Sequence, residues 1–168
     1  MAEPKTRPTA MQPRDWLAGI PDEARRADCA RLIALMKRAS GAPPVLWGGG
    51  IVGFGSYPMA YASGKTLDWP RVAFASRSTG LVLYLMTGFD AAGPLLRQLG
   101  PHRTGKGCLY VQRLADVDLA TLEALLVASL RAMTARYPAA RKPAATATAR
   151  RKPSGVATKS TKKRPIKR

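Results

Sequence analysis

Two cysteines and a single histidine leave this chain of 168 residues little material for metal or thiol chemistry. Cys29 and Cys108 lie far apart with no C-x-x-C pair, and a reducing, cytoplasmic setting is expected. His102 with two distant cysteines makes no recognisable zinc set. Long apolar runs are also missing: Gly, Arg or Asp interrupts every stretch before the roughly 18–20 residues that a membrane span needs, so no membrane partner is expected. No apolar run with a cleavage site precedes the folded part. Acids are scarce as well, with 10 Asp and Glu against 28 Lys and Arg, a net charge of +18.

The location of that charge matters more than its total. Residues 14–137 carry 15 bases and 9 acids, whereas residues 138–168 carry 11 bases and no acid. Those eleven are Arg141, Lys142, Arg150, Arg151, Lys152, Lys159, Lys162, Lys163, Arg164, Lys167 and Arg168. Val156 and Ile166 are the only large aliphatics among them, so the segment cannot offset its ordering entropy by burial and is expected to be disordered. Residues 1–13, with three prolines and no apolar period, read as a disordered arm. One domain is expected between them, over 14–137.

Within it, Cys29, Leu32, Ile33 and Met36 recur at helical spacing between Asp22 and Ser40, and Gly41 with Pro43-Pro44 ends that helix. Segments 45–47, 51–62, 70–76 and 80–86 are rich in Val, Leu, Phe, Tyr and Trp and read as strands. The short gap at Arg77–Gly80 predicts an antiparallel hairpin, since a parallel pair needs a crossover of about a dozen residues or more. A short helix after Asp90, a strand over 107–113 and a helix capped by Asp118 complete the pattern. The fold class is α+β: a two-layer sandwich of one mainly antiparallel sheet, of about five strands, covered by helices.

Several motifs look chemical and fail on context. Gly48 to Gly53 matches G-x-G-x-x-G with Asp68 downstream, but Gly53, Gly55 and Pro58 forbid the helix on which a dinucleotide pyrophosphate would sit. Gly64-Lys65-Thr66 resembles the end of a P-loop, yet Met59 replaces the required glycine. Cys108, between Gly107 and Leu109 in an apolar strand, reads as a packing residue. No catalytic residue is assigned, and the protein is not expected to be an enzyme. The remaining constellation is aromatic and basic: Trp47, Tyr57, Tyr61, Trp69, Tyr84 and Tyr110 among the strands, with Arg77, Arg103 and Lys106 in adjoining turns. Of these, Trp47, Tyr61, Trp69, Arg77, Tyr84, Lys106 and Tyr110 are the candidate ligand-binding residues.

The stretches VLWGGGIVGFGSY (45–57), YASGKTLDW (61–69), GLVLYLMTGFD (80–90) and HRTGKGCLYVQRLADVDLATLEAL (102–125) together resemble the YdhG-like family of small bacterial proteins, a family of unknown function. The resemblance spans about residues 14–135 and marks Trp47, Gly48, Gly53, Tyr61, Gly64, Trp69, Tyr84, Lys106, Cys108 and Tyr110 as pattern positions. Ala62 and Gly107 depart from it, standing where Glu and Ser are common in the family. It implies a frataxin-like fold and, as one activity, intracellular iron chaperoning. Asp22, Glu23 and Asp28 are the only local acidic cluster for iron, and they are interleaved with arginines. The leading expectation is therefore a non-enzymatic YdhG-like domain, a small-ligand-handling module without cofactor, whose basic segment binds DNA or RNA non-specifically. The alternative is an iron chaperone.

Overall fold

The computed structural model describes residues 6–138. The basic segment expected beyond Pro138, with all eleven of its bases, lies outside the described residues. Helices α1 (Pro13–Ala18) and α2 (Glu23–Ser40) are followed by six strands: β1 (Pro44–Trp47), β2 (Ile51–Phe54), β3 (Tyr57–Ala60), β4 (Thr66–Trp69), β5 (Val72–Arg77) and β6 (Gly80–Leu85). Helix α3 (Gly93–Leu99), strands β7 (Arg103–Thr104) and β8 (Cys108–Val111), and helix α4 (Leu119–Arg136) complete the order.

The chain is α+β, as expected, with a six-stranded sheet in the order β1-β2-β5-β6-β8-β7 and every pairing antiparallel. The sixth strand is β7, two residues long and too short to leave a period in the sequence. The expected strand 51–62 is broken at Gly55-Ser56, and its second half pairs with β4 as a separate hairpin. The glycine run at 48–50 turns β1 back into β2, with Gly49 and Gly50 at φ 80° and 71°, a left-handed geometry that β-carbons disfavour. Strand runs into strand there, and no helix follows.

Alternation along the strands sorts side chains onto two faces. One register row runs Leu46, Val52, Phe74, Leu83, Leu109, and all five are buried in the core with helix residues Leu32, Met36, Leu122 and Leu126. Trp16 of α1 meets Phe74 edge-on at 6.1 Å, which puts the first helix on this face too. Burying a large apolar side chain contributes roughly 1.5–3 kcal/mol, and this layer is the main source of stability. The neighbouring row runs Trp47, Ile51, Ala75, Val82, Tyr110, Arg103 and points to the opposite, helix-free face.

Local signals fix the helix ends. Asp22 accepts the Arg25 N–H at 2.7 Å and Asp118 accepts that of Thr121 at 2.8 Å, each carboxylate satisfying an orphan donor at a helix start. Helix α2 buries Asp28, Cys29, Leu32, Leu35 and Met36, so its inner stripe is centred away from Ile33, which is only half-buried. The amino-terminal arm, expected to be disordered over 1–13, is held in part: Thr9 donates its N–H to the Leu46 carbonyl at 2.7 Å and Gly48 donates to that of Arg7 at 2.8 Å. This stretch adds itself to the free edge of β1. Among the described residues no helix is long and apolar enough to cross a membrane.

Candidate ligand face

The seven candidate ligand-binding residues do not form one site. Tyr61 and Trp69 belong to the β3–β4 hairpin, where the Trp69 indole N–H donates to the Tyr61 hydroxyl at 2.6 Å. That bond closes the hairpin on itself. Trp47 lies on the helix-free face but is 3% exposed, its indole seated over Gly53, so it is a packing residue. Arg77 ends β5 and donates to the Gly49 carbonyl at 2.8 Å, tying two turns together. Tyr84, Tyr110 and Lys106 remain; the sheet brings Tyr84 and Tyr110 onto adjacent strands, and Lys106 is left in a turn outside that pairing.

Tyr84 on β6 pairs with Cys108 on β8, and Tyr110 lies two residues along the same strand, so all three side chains project from the helix-free face. Each is half-buried. Cys108 is thus not the buried packing residue expected from its apolar neighbours: Leu109 and Val111 face the core, and the cysteine shares the parity of Tyr110. Arg103 on β7 stacks its guanidinium 5.1 Å from the centre of the Tyr110 ring. Lys106 is exposed in the turn that joins β7 to β8. The neighbouring Cys108 and, more weakly, burial and Tyr84 hold the Tyr110 phenol above its ordinary range, with Arg103 pulling the other way. Tyr110 therefore stays protonated and neutral through the physiological range.

Beside this patch is a hollow of about 380 Å³, walled by Tyr110, Arg103, His102, Gln112, Val82 and Thr79 among others. Among the described residues no carboxylate lines it, and Arg103 is the charged group of that lining. His102 Nδ1 lies 2.7 Å from the Gly100 carbonyl. A carbonyl only accepts, so Nδ1 carries the proton and, in the neutral ring, Nε2 is left as an acceptor. The hollow therefore offers an aromatic surface, a cation, an imidazole and an amide within a volume suited to a small planar ligand. His102 and Gln112 escape sequence reasoning, because nothing in the chain order says that the α3–β7 loop folds back onto the end of β8.

The acidic cluster proposed for iron is not assembled as ligands. Asp22 is engaged as the cap of α2, and Asp28, 6% exposed, accepts from Arg113 Nε at 2.8 Å. Among the described residues no group of three or more His, Cys, Asp or Glu is placed to hold a metal ion. Comparison of the chain with protein-family models, with curated proteins and with solved structures returns no match.

Proposed function

We propose that this protein is a non-catalytic YdhG-like binding module for nucleic acid, with two separable contacts. Charge on the eleven bases of residues 139–168 attracts the phosphate backbone without sequence preference, and the Tyr110 hollow receives an unstacked base. The observation that carries this reading is a hollow with no carboxylate among the described residues that line it, built around a neutral tyrosine with a guanidinium against its ring, in a chain that also carries an acid-free basic segment. Single strands are the favoured substrate of the hollow because their bases are free to stack on an aromatic ring. The protein's place is among soluble cytoplasmic binders.

Substitution at Tyr110 tests the reading. Stacking of one base on an aromatic ring contributes about 1–3 kcal/mol, so Tyr110→Ala is expected to weaken single-stranded oligothymidylate binding about 5- to 150-fold. Duplex DNA of equal length should lose little. Anisotropy titrations of both probes decide it: an equal effect on both, or none on either, contradicts a base-stacking role.

A further inference from the structure

Next to the Tyr110 hollow across the β5–β6 turn, a second cleft of about 600 Å³ opens where α1 and the start of α2 approach the end of β5. Its polar wall is Arg25, Ser76, Arg77 and Ser78, and its apolar wall includes Trp16 and Ile20. Arg25 has an unusual status. Its backbone N–H is satisfied by Asp22, but its guanidinium Nη1 is shut off from solvent and has no hydrogen-bond partner among the described residues. An unmet donor on a charged group is among the costlier defects a fold can carry. Arg77, by contrast, already spends one nitrogen on the Gly49 carbonyl.

From this geometry we infer that the cleft binds a small monocarboxylate with an apolar body, its carboxylate on the Arg25 guanidinium and its body against Trp16. A guanidinium fork matches a carboxylate in bidentate geometry, and a modest swing of the side chain into the cleft gives Nη1 the acceptor it lacks. The Ser78 hydroxyl supplies a further donor to the anion, whereas that of Ser76 is engaged with Cys29. Asp15 and Asp22 stand on the same rim, and their negative charge sets the limit: a singly charged ligand is tolerated, whereas a polyphosphate or a nucleic-acid strand is repelled. The cleft shares no lining residue with the Tyr110 hollow and differs from it in chemistry, so either reading can fail without the other.

Titration of the full-length chain with phenylacetate, benzoate and inorganic phosphate, followed by tryptophan fluorescence and calorimetry, tests the inference. A ligand of this size is expected to bind with a dissociation constant of about 1 mM or tighter. Arg25→Gln should weaken phenylacetate about tenfold or more, while Arg131→Gln, on the outer side of α4, should leave it unchanged. If Arg25→Gln fails to fold, Trp16→Phe reports instead: the fluorescence response to phenylacetate should disappear while the calorimetric binding persists. Absence of binding by both carboxylates at about tenfold above the expected constant overturns the inference. So does phosphate binding as tightly as phenylacetate, or a dissociation constant indifferent to Arg25→Gln.

Discussion

Gly53 sits in the middle of β2, where a β-carbon would lie 2.6 Å from both the Pro70 ring and the Trp47 indole nitrogen. The absence of a side chain there lets the tryptophan lie flat over the strand and lets Pro70 close the start of β5. Gly53→Ala is therefore expected to destabilise by about 1–3 kcal/mol through overpacking, read from the urea midpoint, although alanine is the better strand residue elsewhere. A neutral result would mean that Trp47 is free to move. On α2 the cost of truncation should follow burial: Leu32→Ala, at a fully buried position, is expected to lose about 2–5 kcal/mol. Ile33→Ala should lose distinctly less, because Ile33 only flanks the core. Equal losses would put the helix axis back where the sequence pattern centred it.

At the scale of elements, the starts of α2 and α4 were legible, and the exact phase of a stripe was not. Both Ile33 and Leu35 are apolar, so two overlapping stripes, with centres about 40° apart, fit α2 equally well until α4 packs against it. The same limit hid Cys108, whose apolar neighbours dominate a composition reading although its parity with Tyr110 was there to be used. Tyr84 and Tyr110 were legible as aromatics among the strands, but their shared face depends on the β6–β8 register, and the separation of Tyr61 and Trp69 depended on a break at Gly55-Ser56 that carries no strong signal. Caps follow simpler rules. The Thr121 hydroxyl and N–H both donate to Asp118, and they hold its carboxyl below the usual range. A depressed carboxyl contributes stability above its unfolded value, near 3.9, and loses it as pH falls through the lower folded value. Asp118→Asn keeps an acceptor but does not titrate. Its deficit relative to the parent chain should be greatest near neutral pH and should shrink below about pH 4, measured as urea midpoints across an acid series. A deficit independent of pH would show that the carboxylate charge contributes nothing at this helix start.

For the whole molecule, the two layers divide the work. Helices and the core face of the sheet supply stability, which leaves the other face able to carry Tyr84, Cys108 and Tyr110 half-exposed without loss of the fold. Helix α4 ends with Tyr137 tied to Arg71, whose guanidinium donates to the Tyr137 carbonyl at 2.7 Å. The basic segment therefore follows directly from an anchored point. Its length and charge are matters of sequence alone, and its role in the proposal is electrostatic: bases without acids release counterions from a phosphate backbone in proportion to the contacts made.

That proportionality gives the most direct measurement. Full-length protein and a chain ending at Pro138, the latter checked for a cooperative thermal transition, would be titrated against random-sequence duplex DNA at several salt concentrations. With about six bases engaged at once, the slope of log K against log salt for the full-length protein should be near −5, by the rule of about −0.9 per phosphate contact. The shortened chain should bind far more weakly with a much shallower slope. Equal affinities and equal slopes for the two would contradict the account, because the basic segment would then contribute nothing to nucleic-acid binding.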